Sequence, residues 1–445
     1  MPRLKMEDPT PAVVEQGVNE YEQTMTLATV FWSNCSPNLT LTTWVLGMLV
    51  SVIGLGFWTG LVVIIVGNLL GTLPTAIVAL IGPKTGLTQI EASRYPLGRI
   101  GVRAPAFINW VTSIGFDAIN NVPSAAALVA LFALFGFSVP FVVTLAFLAI
   151  VQMIAAIYGH DLVQLVEKYL GYFLFVVFVL TGAAILFRGS FVVTTGSNPG
   201  IGSIILATSL IASFNFSLAP YSADYTRYLP KNTPWQATVG LTYIGLVFSA
   251  VSIETLGLIT ASAIADPSPI AVIQEIGDIV GPLAPLTLAA LGLAAIAPNS
   301  MNDNTAAYSL ISAGIHVSRP VSAVIASILS FAMAAIGSGK YATLYENYLL
   351  VTFYWLAPWV AIILVHWFAS DQEMPETVPG GWTKAATIFV GVTLVTGFLF
   401  SATPAYTGPI GRLLGGVDIG YIVGFILTAL LYGMTLKRKR PRHRV

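Results

Sequence analysis

The chain has 445 residues, 56% of them hydrophobic and only 9% charged, with a formal net charge of zero and a mean hydropathy of +0.81. Soluble domains carry about 25% charged residues, so this composition excludes a soluble globular protein and predicts an integral membrane protein. The single cysteine, Cys35, rules out an internal disulfide and a Cys-based metal cluster. The four scattered histidines (His160, His316, His366 and His443) offer no HExxH spacing for a metal hydrolase.

A helix crossing about 30 Å of hydrocarbon needs about 20 apolar residues. Along the chain that length predicts twelve spans: 25–52, 56–81, 105–134, 138–159, 166–187, 200–228, 236–264, 284–313, 319–337, 345–368, 383–403 and 412–436. Residues 1–24 lack an apolar core followed by a cleavage site and read as an N-terminal segment rather than a signal peptide. Residues 437–445 read as a basic tail.

Span one carries W-S-N-C-S-P-N, with Ser33, Asn34, Ser36 and Asn38 inside an apolar run. Span three carries G-F-D-A-I-N-N. Phe116 and Asn120 are four apart and share a helical face, an arrangement that suits stacking on a flat ring and reading its edge. Asp117, one residue round, is expected to join a proton relay or to pair with a polar group of another helix. Span six carries S-F-N-F-S-L-A-P-Y-S-A-D-Y-T-R-Y. Pro220 breaks the helix there, beside Asn215, Ser217, Tyr221 and Ser222, with Phe214 and Phe216 as stacking candidates. Asp224 and Arg227, three apart, are expected to form a structural ion pair or gate hinge. Glu254 in span seven is a second buried carboxyl. Span eight carries A-P-N-S-M-N-D-N-T, a polar cluster of Asn299, Ser300, Asn302, Asp303 and Asn304. Such a cluster is costly in a bilayer and marks a functional site or interhelical hydrogen bonding.

Irregular backbone survives in a membrane only where it lines a protein cavity. Spans one and six are both broken, and each is first in a group of five. Spans one to five (25–187) and six to ten (200–368) overlay as halves of opposite orientation, because five spans per half forces the inversion. This predicts an all-α, five-plus-five inverted-repeat (LeuT-like) transporter with the helices of 383–436 added. Basic residues gather on one side: Arg3, Lys5, Lys84, Arg94, Arg99, Arg103, Lys168, Arg227, Lys231, Arg319, Lys384 and the tail. The other side holds Arg188, Lys340 and Arg412. Both termini are therefore expected to be cytoplasmic in a multi-pass cell-membrane protein.

The pieces S-M-N-D-N-T-A-A-Y-S (300–309), A-D-Y-T-R-Y (223–228), W-S-N-C (32–35) and G-P-K-T-G-L-T-Q-I-E-A-S-R-Y (82–95) resemble the nucleobase–cation symporter family of cytosine, purine, allantoin and hydantoin permeases. The resemblance implies import of a planar heterocycle, cytosine first, by cation symport. It implies that Phe116 stacks where the family usually has Trp, and that Asn120 and Asn302 read the ring edge, with Asp303 following. In the sixth span Asn215 falls where other members carry an aromatic, so Phe214 and Phe216 both remain as the second stacking residue. Ser33 and Asn34 join the substrate-binding candidates. The coupling ion is sodium, with Asn299 and Ser300 as candidate ligands, or a proton, with Asp117 as its carrier. Neither an enzymatic activity, a cofactor nor a nucleic-acid partner is expected.

Overall fold

A computed structural model describes residues 15–158, 160–188, 200–261, 269–370 and 377–436. Arg3, Lys5, His443 and the tail, on which part of the orientation argument rests, lie outside them. Among the described residues every named element is helical; the only β feature is an isolated bridge between Ala402 and Thr407.

Span one is two helices, Leu27–Cys35 and Leu41–Val52, bent by 57° across a 3-10 turn at Ser36–Asn38. Pro37 in the turn has no N–H to continue the ladder. Thr40 restarts the helix as its cap, its hydroxyl accepting from the Thr43 amide. Span six is Ile201–Phe216, a 3-10 turn Ala219–Tyr221 around Pro220, then Ser222–Thr226. The two breaks differ: the passage through span six carries on without a bend like that of span one.

The other spans are Phe57–Val78, Arg103–Leu134, Phe141–Tyr158, His160–Arg188, Trp235–Thr260, Ala284–Leu293 continued by Ile296–Ser312, Arg319–Gly337, Tyr341–Ala369, Lys384–Leu399 and Gly420–Thr435. Among the described residues, eight helical runs are long and apolar enough to cross a membrane, nine with bent span one. One run, Pro320–Ala369, contains both spans nine and ten, and the last two helices have only 16 residues each. Two elements lay outside the expected spans. Pro269–Val280 forms a helix before span eight and buries Val272, Ile273, Ile276 and Val280. The connection after span two folds as Ile81–Thr85, Gln89–Ala92 and Arg94–Gly101, with Gln89, Glu91 and Arg94 all buried.

The spans pack in groups. Span two lies against six and seven, and seven against both halves of one. Span three lies against eight, four and nine. Span five covers the turn of span one and touches span eight, while span ten packs with the last two helices. Glycines let the first group close to backbone contact. A Cβ on Gly47 would fall 1.9 Å from the Glu254 carbonyl oxygen, on Gly71 2.1 Å from that of Ala212, and on Gly257 2.0 Å from that of Trp44.

Candidate functional site

The break of span one, the break of span six, span three and span eight meet at one cavity. Asn38, Phe116, Asn120, Phe214, Ser217 and Asn302 line it, closed in by Pro37, Leu218, Pro298 and Met301. Its volume is about 30 Å³, room for about two water molecules, so a ring enters only as these walls part. Phe116 is held edge-on by Tyr348 of span ten, centroids 4.9 Å apart and planes at 87°. Tyr348 sits over Gly115, where any Cβ would strike its ring, and its hydroxyl donates to the Thr112 carbonyl.

The amides around the cavity are fixed from behind. Asn120 Nδ2 donates to Asn299 Oδ1 at 3.0 Å. Asn299 Nδ2 in turn donates to Asn121 Oδ1 (2.9 Å), Gln152 Oε1 (2.8 Å) and the Asp117 carbonyl (3.3 Å). Asn302 Nδ2 donates to Asp117 Oδ1 at 2.9 Å. Asn38 Nδ2 donates to Asn215 Oδ1 (3.0 Å), the Leu246 carbonyl (3.1 Å) and Ser249 Oγ (3.1 Å). Asp117 is wholly buried, with Asp303 as its neighbouring carboxyl.

The sequence candidates divide accordingly. Phe116, Asn120, Phe214 and Asn302 come together on the cavity. Asn215 does not line it: its side chain is buried among spans one, two and seven, donating to Asn68 Oδ1 (2.8 Å) and Thr72 Oγ1 (3.0 Å). Phe216 points elsewhere too, its ring 4.8 Å from that of Phe353. Of the two stacking candidates in span six, Phe214 is therefore the one on the cavity. Ser33 and Asn34 line a smaller adjoining space of about 10 Å³, bounded by Tyr221, Ser222 and Tyr225 and sharing Pro37, Leu218 and Met301 with the first. Asn34 Nδ2 is spent on the Val30 carbonyl of its own helix at 2.8 Å. Of the sodium candidates, Asn299 faces spans three and four as described, and Ser300 Oγ donates back to the Ile296 carbonyl at 2.6 Å. Asn38, Ser217 and Met301 complete the cavity; the polar turn of span one was the signal for Asn38, and nothing in the sequence singled out Met301.

The expected Asp224–Arg227 ion pair does not form. Asp224 Oδ1 accepts from the Gln89 amide (2.8 Å) and Oδ2 from Thr305 Oγ1 (2.7 Å). Arg227 donates to Tyr228 Oη (2.9 Å) and Tyr308 Oη (3.0 Å) and lies 4.8 Å over both rings. The guanidinium reaches Asp224 only at its backbone carbonyl, 3.2 Å away. Gln23 Nε2 donates to the Arg227 and Pro83 carbonyls (3.0 and 3.2 Å), while Glu91 pairs with Arg94 and accepts from Ser312 Oγ at 2.5 Å. These contacts join the N-terminal segment, the 82–101 connection and the ends of spans six and eight on one face.

Residues 17–424 match the family described as permease for cytosine/purines, uracil, thiamine, allantoin. The chain is 27% identical over 420 residues to the putative purine-cytosine permease of Bacillus subtilis (strain 168), covering 90% of each. It is 26% identical over 420 residues to a purine-cytosine permease of Emericella nidulans, covering 89% of this chain and 82% of that one. Among solved structures it resembles Mhp1, a nucleobase-cation-symport-1 family transporter, in a closed conformation with bromovinylhydantoin bound. The TM-score is 0.78 at 14% identity, covering 95% of this chain and 94% of the other. Against the inward-facing conformation of Mhp1 the TM-score is 0.71. An interrupted-helix fold of this kind, with rings and amides meeting at its centre, and a match running through nearly the whole chain make the protein a member of the permease family for cytosine/purines, uracil, thiamine and allantoin, a multi-pass membrane transporter and not an enzyme.

Proposed function

We propose that this permease imports a planar nucleobase, cytosine first, by cation symport with alternating access, its termini on the cytoplasmic side. The observation that carries this reading is the cavity itself. Two phenyl rings, Phe116 and Phe214, and three amides, Asn38, Asn120 and Asn302, converge where the broken spans meet spans three and eight. A flat, weakly polar ring with hydrogen-bonding edges is the ligand such a lining suits: stacking contributes about 1–3 kcal/mol per base, and amides supply the edge contacts. The purine-cytosine permeases among its relatives support the cargo class.

For the coupling ion, the hydrogen bond from Asn302 to Asp117 supports a proton. It ties a buried carboxyl to an amide on the cavity wall, so a proton there and a ring in the site act on the same group. At the sodium candidates, Asn299 Oδ1 already accepts from Asn120 Nδ2 of span three, so a sodium ion there would have to share that oxygen; Ser300 Oγ donates to the Ile296 carbonyl of its own helix. A vitamin-like heterocycle is the second reading of the cargo, supported by a vitamin B6 transporter of Saccharomyces cerevisiae, 24% identical over 329 residues.

The test is thermal stability of the purified protein against cytosine, purines, allantoin, hydantoin and pyridoxine, in sodium or choline and across pH. A ligand that binds the folded state raises its stability by mass action. Stabilisation by cytosine, stronger as pH falls and indifferent to sodium, is expected. Stabilisation by none of the bases, with no uptake in vesicles, would refute the reading.

A further inference from the structure

We propose that Asn38 reads the cargo as an acceptor: its carbonyl oxygen receives a ring or amino N–H group, in an orientation held by the Leu246 carbonyl and by a buried chain that ends on Glu254. This rests on the heterocycle reading above and specifies it.

The argument starts from where the donors go. Each of the three cavity amides directs its nitrogen into the protein: Asn120 to Asn299, Asn302 to Asp117, and Asn38 to three acceptors. The fourth polar side chain of the lining, Ser217, gives its hydroxyl hydrogen to the Phe214 carbonyl at 2.6 Å. Asn120 and Asn302 each keep a second N–H, whereas the Asn38 nitrogen, with three acceptors for its two hydrogens, has none left for the cavity. The Asn38 side chain is wholly buried, it lines the cavity, and its Oδ1 takes no hydrogen bond. A buried acceptor left unpaired is costly unless a ligand satisfies it.

The orientation of Asn38 is not free to reverse. A backbone carbonyl only accepts, so the Leu246 carbonyl fixes which end of Asn38 is nitrogen, and the Asp117 carbonyl does the same for Asn299. Behind Asn38 the order continues. Asn215 Oδ1 faces Asn38, and Asn215 Nδ2 donates to Asn68 Oδ1. Asn68 Nδ2 donates to the Ile64 carbonyl at 2.9 Å and to Glu254 Oε2 at 2.5 Å. Every amide in this chain, from span one through six and two to seven, points its nitrogen toward Glu254. The carboxyl is an acceptor that gives the chain its direction. It is completely buried, and the titratable groups facing it are Tyr345 and, beyond it, Tyr341 of span ten; no cation pairs with it among the described residues. Glu254 is thus a positioning residue: it touches no ligand and acts through Asn68, Asn215 and Asn38.

Cytosine can meet this acceptor with its ring N1–H or its exocyclic amino group. A ring that has lost the N–H at that position leaves the Asn38 carbonyl orphaned, whereas a carbonyl at that position sets oxygen against oxygen.

The experiment measures binding of cytosine, of pyrimidin-2-one, which lacks the amino group without added bulk, and of 1-methylcytosine, by competition or thermal shift on the full-length protein. The wild type is expected to bind at least one of the two analogues about tenfold or more weakly than cytosine. In Asn38→Leu that preference is expected to fall to about threefold or less for the analogue Asn38 reads. Glu254→Leu should weaken the same preference, because Asn68 then keeps only the Ile64 carbonyl and the chain loses its terminal acceptor. Glu254→Gln keeps a carbonyl for Asn68 and should restore it, a rescue that a merely space-filling role for Glu254 would not require. Unchanged discrimination in Asn38→Leu overturns the acceptor assignment; unchanged discrimination in Glu254→Leu overturns the role of the chain. If the wild type binds neither cytosine nor any other heterocycle of the panel, the transport reading itself fails and this inference falls with it.

Discussion

Thr305 and Asp224 join span eight to the end of span six across the closed face, and the link can be cut without changing shape. Thr305→Val replaces a hydroxyl by a methyl of the same size at a site only 1% exposed. The carboxylate then loses the 2.7 Å bond on Oδ2 and keeps only the Gln89 amide on Oδ1. A hydrogen bond to a charged group contributes about 1.5–3 kcal/mol, and the orphaned oxygen regains water only when this face opens. The equilibrium should therefore shift toward the open form by about 10- to 150-fold. The readout is alkylation, from the N-terminal face, of a cysteine placed at Met301 in a Cys35→Ala background. Met301 borders both the site cavity and the adjoining space, and is 4% exposed when closed. Labelling should accelerate at least tenfold in Thr305→Val and stay near the parent rate in Thr305→Ser, which keeps the hydroxyl. A valine variant labelled within twofold of the parent would show that this bond does not hold the face shut.

Two other outcomes follow from the geometry. Phe116→Trp should retain or tighten ligand binding, and Phe116→Ala should weaken it by about 1–3 kcal/mol, the size of one lost stacking contact; equal binding by the alanine variant would remove Phe116 from the site. Gly47→Ala should lower the thermal stability by the equivalent of about 1–3 kcal/mol or more, since its Cβ would land 1.9 Å from the Glu254 carbonyl; a melting temperature like the parent's would mean that spans one and seven can part freely.

Much of the architecture could be read from residue order, because a bilayer penalises polar and proline-rich interruptions so heavily that the breaks in spans one and six stand out. Phe116 and Asn120 were legible as a pair because four residues return a helix to the same face. Phe214, Asn215 and Phe216 were not separable. Adjacent residues point about 100° apart, and a span that is apolar all round carries no marker of which face is inward; the 3-10 turn after Phe216 blurs the register further. The 82–101 connection falls between the predicted spans two and three, with no structure expected for it. It folds inward because Glu91 and Arg94 neutralise each other and Ser312 takes the remaining carboxylate oxygen. The Asp224–Arg227 pair failed for a related reason: spacing places two charges near one another, but here an amide and a hydroxyl claim the acid, and tyrosine rings claim the base.

The glycine contacts at Gly47, Gly71 and Gly257 have a mechanical consequence. Backbones that touch directly leave no flexible side chains to absorb shear, so span one is held stiffly to seven, and span two to six. On the alternating-access reading proposed above, each pair would tilt as a rigid rod, and a rod that tilts about its middle moves its two ends in opposite directions.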